Sequence, residues 1–358
     1  MPHPVRHPRR TAVVISAIAV VVGTVSVFVV ATSELATGRS PLASGQRLAQ
    51  CRLGGRQPGT PPHLCAREGE IIEIRLGDLT PTQPTVGHDA VHYRLGRYTA
   101  GKDQVNRRFT DWCRSSGLLG AIAADAGSKL SDPSTFTCEL RPGEETEESR
   151  SRMKTVVIGR GGRPYLTDGH HTFTAFHTMP DGGPDMRVRV RVMANLGGLG
   201  EKDFWERMRT ERWVWLRDAT GKEIPPDTLP GDLSLKSFGD DRYRSLAYFT
   251  RGIGHRPRKV PFQEFHWATW LRESGKVDLT GWQSDDPASY LKAVQTAAKA
   301  QINVPRRTVV HDGMTAGQLG LRTKLGEKTL ARLGKPLSDK TPGKLAYITE
   351  GRRFAATR

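Results

Sequence analysis

The sequence predicts an α+β protein, on three observations. Short β-branched runs cluster before residue 195, one of them leads through a tight turn directly into a helix pattern, and helical segments fill the chain from residue 201 onward. The 358 residues leave ample room for a buried core. Hydrophobic residues make up 37% of the chain beside 38 Gly and 23 Pro, which describes a turn-rich globular protein and excludes a coiled coil, a collagen or a disordered chain. Its 54 Lys and Arg against 37 Asp and Glu leave a net charge of +17, which calls for a polyanionic partner: nucleic acid, an anionic membrane surface or an acidic wall polymer.

Residues 1–36 read as an export signal or membrane anchor. Arg6, Arg9 and Arg10 precede an uncharged run over residues 12–31. At about 1.5 Å per helical residue this run spans a hydrocarbon core, so its length favours an uncleaved anchor, while Ala31-Thr32-Ser33 offers a small-residue cleavage site. With the basic flank inside, everything after about Ser33 is expected outside the cytoplasm, anchored or secreted. The cysteines agree: Cys51, Cys65, Cys113 and Cys138 all follow the apolar run, in the even number an oxidising compartment favours. Short loops favour Cys51 with Cys65 and Cys113 with Cys138, although spacing leaves the other pairings open. No Cys-x-x-Cys suggests a zinc knuckle.

Residues 37–68 are a linker rich in Gly, Pro, Ser, Arg and Gln. A core domain is expected over 69–200. Its strands are residues 70–76 (EIIEIRL), 154–159 (KTVVIG), 165–167 and 186–193 (MRVRVRVM), with a loop over 125–148 and a helix over 172–177. The Arg face of the last strand could grip phosphate, although a solvated sheet face is the commoner meaning of that alternation. A helical extension over 201–302 follows, with helices at 201–217, 242–250, 262–271 and from Asp286-Pro287 to 301, where Asp caps and Pro takes the first helical position. The basic tail, 303–358, closes the chain. Over residues 301–358 there are twelve Lys and Arg against four acids.

Asp168-Gly169-His170-His171-Thr172 lies where a strand ends and a helix begins. The first N–H groups of such a helix and the positive end of its dipole form an anion site, to which Gly169 allows close approach and His170, His171 and Thr172 add donors. Asp168 repels an anion unless it holds a metal ion, positions a hydroxyl or accepts a proton, which favours chemistry there. The plainer alternative is that Asp168 caps the helix and the histidines are surface residues. His88 and His92 have i,i+4 spacing but no third ligand, and His266 among aromatics reads as packing. Gly-x-Ser-x-Gly, His-Glu-x-x-His, Walker and dinucleotide patterns are missing.

Residues 71–81 (IIEIRLGDLTP), 155–158 (TVVI) and 165–176 (YLTDGHHTFTAF) resemble the ParB/sulfiredoxin superfamily, and more closely its bacterial group of ParB-like nucleases. Gly96-Arg97-Tyr98, Phe204-Trp205, residues 214–218 (VWLRD) and 243–250 (YRSLAYFT), and Phe265-His266-Trp267 extend the likeness across about 69–272. The resemblance implies a small mixed sheet that presents the Asp-Gly-His-His turn to a nucleotide or phosphate. Sulfiredoxins carry Gly-Cys-His-Arg at this turn. Here His170 stands at the cysteine position and Thr172 at the arginine position, so sulfinic acid reduction is excluded. Partition ParB carries Gly-Glu-Arg-Arg and a helix-turn-helix that this chain lacks. Kinases of the superfamily carry Asp-Gly-His, which Asp168 and His170 match, with Glu73 as a candidate second carboxylate.

The expected function is therefore a nuclease or phosphodiesterase. Asp168 acts as base or holds Mg²⁺ or Mn²⁺, His170 and His171 stabilise phosphoryl oxygens, Gly169 and Thr172 complete the phosphate site, and the basic tail holds the polyanion. A nucleotide-dependent phosphotransferase and a non-catalytic binder of nucleic acid or wall polymer are the alternatives. The membrane enters through the N-terminal segment, and no protein partner is expected.

Overall fold

A computed structural model describes residues 63–358. The apolar run, most of the linker and Cys51 lie outside the described residues. Strand β1 (Ile71–Arg75) leads through the short strands β2 (Thr80–Pro81) and β3 (Thr85–Val86) into helices α1 (His88–Thr99) and α2 (Arg107–Ser115). A hairpin of β4 (Ala121–Ala124) and β5 (Phe136–Cys138) and a single turn, α3 (Glu147–Arg150), follow. Then come β6 (Thr155–Ile158), β7 (Pro164–Asp168), α4 (His170–Thr178), β8 (Arg187–Asn195) and α5 (Glu201–Thr210). The second half holds β9 (Gly239–Asp240), α6 (Arg242–Phe249), α7 (Gln263–Glu273), α8 (Pro287–Ile302), the hairpin β10 (Val309–His311) and β11 (Met314–Thr315), α9 (Glu327–Leu333) and α10 (Lys344–Ala355).

The central sheet has the order β1-β8-β6-β7-β2. Pairs β1/β8 and β6/β7 are antiparallel, and β6/β8 and β2/β7 are parallel, so the fold is α+β with a small mixed sheet. Its register follows from the pattern of β8: Val188, Val190 and Val192 are buried on one face, and Arg187, Arg189 and Arg191 necessarily take the other. The valines, with Val156 and Leu166, pack against Phe173 and Phe176 of α4 and Leu95 and Tyr98 of α1. A second core joins α6, α7, α8 and α10 through Leu246, Trp267, Tyr290, Val294 and Ile348.

Helix α1 stands between the two cores, and α10 lies along it at backbone contact. A Cβ on Gly96 would sit 1.8 Å from the Tyr347 carbonyl oxygen, and one on Gly351 1.8 Å from that of His92, so both positions require glycine. Arg352 of α10 then reaches Asp89 of α1 at 2.7 Å. Among the described residues no helix is long and apolar enough to cross a membrane.

Two local readings differ. The helix expected over 201–217 ends at Thr210, and Arg212 turns the chain at φ 54°, because Trp215 leaves the helix to stack on Phe265 of α7 with ring centroids 4.9 Å apart. The loop expected over 125–148 contains β5 and the start of α3. Cys113 and Cys138 are joined, as loop length suggested, and this ties α2 to β5; Cys65 is also in a disulfide. Replacing Cys113 and Cys138 by serine is expected to lower stability by about 3 kcal/mol, the closure entropy of a loop of this length. Urea unfolding measures it, and a change below about 1 kcal/mol would show that packing alone holds α2 in place.

Candidate functional site

Strand β7 delivers Asp168 to the sheet edge, and Gly169 turns the chain into α4. Gly169 has φ 119°, in the left-handed region, and a Cβ there would come within 2.9 Å of the Lys154 side chain, so both conformation and space demand glycine. No side chain caps this helix. Thr172 and Phe173 donate their N–H groups to the Gly169 carbonyl at 2.9 and 2.8 Å, which leaves those of His170 and His171 directed out of the first turn. Gly169→Ala is expected to cost about 1–3 kcal/mol by strain and by displacing Lys154. A melting temperature equal to wild type would remove the requirement for glycine.

Asp168 is not the cap. It accepts a hydrogen bond from Lys154 Nζ at 2.9 Å and keeps 63% of its side chain exposed within a cleft. Partial desolvation pushes its carboxyl up, but the Lys154 charge and hydrogen bond, with help from the Gly169 N–H, outweigh this and hold it below the usual carboxylate range. It is therefore ionised at neutral pH.

The histidines are struts. His170 Nε2 accepts the Thr82 N–H and His171 Nε2 accepts the Gly87 N–H, each at 3.1 Å, so the turn is tied to the chain on either side of β3. Burial pushes His170 down to about 3 and His171 well below its ordinary value. Both rings are neutral at pH 7, and with Nε2 accepting, each carries its proton on Nδ1. The histidines can offer a ligand a hydrogen bond, but Nε2 is not free to act as a base.

The cleft in front of this turn encloses about 790 Å³ and is lined by nine Lys and Arg against two acids, Asp168 and Glu264. Arg152 and Lys154 precede β6 and Arg191 projects from β8. Arg94 comes from α1, Arg244 from α6, and Arg251, Arg258 and Lys259 from the segment leading to α7. Glu264 of α7 hydrogen-bonds Arg251 and lies 3.5 Å from Arg244. Burial pushes Arg244 down to about 10 in spite of that carboxylate. Arg244 is only 6% exposed, yet its Nε and Nη1 have no hydrogen-bond partner, and Arg94 Nε and Arg191 Nε are likewise unpartnered. These guanidinium N–H groups remain able to donate to an anion that enters the cleft.

The structure brings Asp168, Gly169, His170, His171 and Thr172 together at this cleft. Glu73 is elsewhere: it is exposed on β1, paired with Arg187 at 3.2 Å, three strands and so roughly 14 Å from β7. His92 lies 3.4 Å from Asp89 and His88 bonds the Phe238 carbonyl. Among the described residues no three His, Cys, Asp or Glu converge as a metal-ligand group. No residue of 303–358 lines the cleft, whose positive charge comes from residues 94–259. A larger concavity of about 900 Å³ lies at the opposite end of β7, over Tyr165, Phe204 and Trp205, where Arg160 and Arg163 are offset by Asp78, Glu201 and Asp227. Its balanced charge sets it apart from the Asp168 cleft.

The family model described as "Putative ParB-like nuclease" matches residues 72–273, which contain β7, α4 and all of the cleft lining. The chain belongs to this ParB-like nuclease family. The crystal structure of protein Atu1540 from Agrobacterium tumefaciens is similar at 22% identity and a TM-score of 0.43, over 64% of this chain and 91% of that one. No curated protein matches the chain. The cleft residues that sequence reasoning missed include Arg94, Lys154, Arg244, Arg251 and Glu264. The stretch 243–250 contained Arg244, but a helical pattern does not tell which side chain is buried against a distant turn.

Proposed function

We propose that this ParB-like nuclease is a phosphodiesterase that cleaves nucleic acid in the Asp168 cleft. The observation that carries the reading is a single ionised carboxylate at a helix mouth, surrounded by cations, among which Arg244 is buried with two unpartnered nitrogens. In this reading Asp168 orients a water or hydroxyl and accepts its proton. Lys154, Arg191 and Arg251 hold the phosphoryl oxygens as charge builds on them, together with the first N–H groups of α4. His170 and His171 hold the turn in place and offer Nδ1–H donors. Asp168 is the one carboxylate of the cleft not clamped between arginines. It would hold a hard cation such as Mg²⁺ only in company with substrate oxygens. With the chain anchored through residues 12–31 the cleft would lie outside the cytoplasm, where polymer is a better supplied substrate than free nucleotide.

The test uses the full-length protein in detergent with plasmid DNA, RNA and single-stranded oligonucleotides, with Mg²⁺, with Mn²⁺ and with chelator. Shortened products support the reading. Binding that weakens steeply with salt but yields no product supports a charge-driven binder instead, and phosphate transfer from a nucleotide to an acceptor supports the phosphotransferase.

A further inference from the structure

Four aromatic side chains outside the turn line the Asp168 cleft among its cations; Tyr248 and Phe265 are buried, which leaves Trp213, which follows α5, and Phe262, immediately before α7. Both are half-buried, so each is anchored by packing yet leaves surface in the cleft. Trp213 rests against the cluster of Val157, Phe204, Met208 and Val214, and Phe262 against Trp215 and Phe265. Their placement is held by unusual backbone. Arg212, directly before Trp213, has φ 54°, and Phe262 itself has φ 55°, a conformation that bulky residues rarely adopt. Arg212, Arg258 and Lys259 are close neighbours of these rings in sequence and line the same cleft.

We infer that the cleft takes a single strand whose bases stack on Trp213 and Phe262 while its phosphates meet the arginines, an inference that rests on the reading of this cleft as a nucleic-acid site. Phosphate recognition needs only cations and N–H groups, so aromatic surface is left over unless the ligand has flat faces to cover it. A strand with accessible bases has them, and a duplex hides them inside its stack. Size agrees: about 790 Å³ lies in the range of small-ligand pockets and suits a short stretch of strand.

The experiment compares the binding of the full-length protein to three fluorescent probes of equal phosphate number: oligo(dT), an abasic oligomer of the same length, and a hairpin duplex. Oligo(dT) is expected to bind at least about tenfold tighter than the abasic oligomer, from stacking of one or two bases. Trp213→Leu with Phe262→Leu, which keeps apolar bulk, is expected to bind both single strands alike. Trp213→Phe with Phe262→Tyr restores the preference. Asp168→Asn retains it whether or not the protein cleaves, so stacking and chemistry are read separately. Equal wild-type affinity for oligo(dT) and the abasic oligomer, tighter binding of the duplex, or a preference that survives the leucine substitutions overturns the inference. Failure to bind any of the three overturns the nucleic-acid reading with it.

Discussion

Asp168→Asn is expected to reduce phosphodiester cleavage by about 10²–10⁴-fold, the usual contribution of a positioned acid or base, while affinity for the polyanion stays equal or rises. The two halves of this result have one cause. Asp168 is one of two negative charges in the cleft, and the other, Glu264, is spoken for by Arg251 and Arg244. Removing the Asp168 charge takes away the group that accepts a proton and also a repulsion toward phosphate. A binding site with no chemistry would show only the gain in affinity. The pH profile adds a check. Lys154 holds the Asp168 carboxyl below its ordinary range against the opposing effect of burial, so the base is present at neutral pH and activity falls only as pH drops below about 4. Histidine protonation near pH 6.5 does not set this limb, because burial pushes His170 down to about 3 and His171 well below its ordinary value. Single-turnover cleavage and equilibrium binding, measured side by side, decide it: unchanged cleavage in Asp168→Asn would remove Asp168 from the chemistry.

What could be read from the chain was whatever short-range pattern dictates. The alternation of β8 fixed which face of the sheet is buried, and the strand-to-helix junction at Gly169 followed from a β-branched run meeting a Gly-His-His turn. The start of α8 was equally plain, since Asp286 accepts the N–H groups of Ala288 and Ser289 and Pro287 has no N–H to satisfy. Helix α1 was not assigned because it packs against two cores and α10, so Asp89 and Gly96 are buried together with Ala90, Val91, Leu95 and Tyr98 and burial does not follow one apolar stripe. The end of α5 was overrun because Trp213 and Trp215 prolong an apolar rhythm that tertiary contacts interrupt at Arg212. The site divides in the same way. Asp168 to Thr172 are contiguous and were named from the turn alone, whereas Arg94, Lys154, Arg191, Arg244 and Arg251 come from separate elements, and only the fold brings them to one cleft.

Glu264→Gln tests the other acid of the cleft and is expected to cost about 3–5 kcal/mol of stability at pH 7, the price of leaving buried cations without their partner. Burial alone would push the Glu264 carboxyl up, but Arg251 and Arg244 hold it far below the ordinary range. Such a group contributes stability above its unfolded value of about 4.3, and that contribution is lost as pH falls through the folded value. The gap between wild type and Glu264→Gln should therefore stay wide through neutral pH, begin to narrow as pH falls below about 4.3 and close fully only in strong acid. Below about pH 6.5 both proteins weaken together, since His170, His171, His255 and His266 are all buried with depressed values and must be charged on unfolding. The loss in Glu264→Gln has a functional signature that an ordinary core defect lacks. Arg244 already has Nε and Nη1 unpartnered, and without the glutamate only Asp241 still opposes its charge, so an incoming phosphate gains more and added oligonucleotide should raise the melting temperature of the variant more than that of wild type. Urea and thermal unfolding at pH 7 and pH 3, each with and without oligonucleotide, separate these effects. A stability loss under about 1 kcal/mol, or equal stabilisation of the two proteins by oligonucleotide, would mean that Arg244 and Arg251 are satisfied by something other than Glu264 and the ligand.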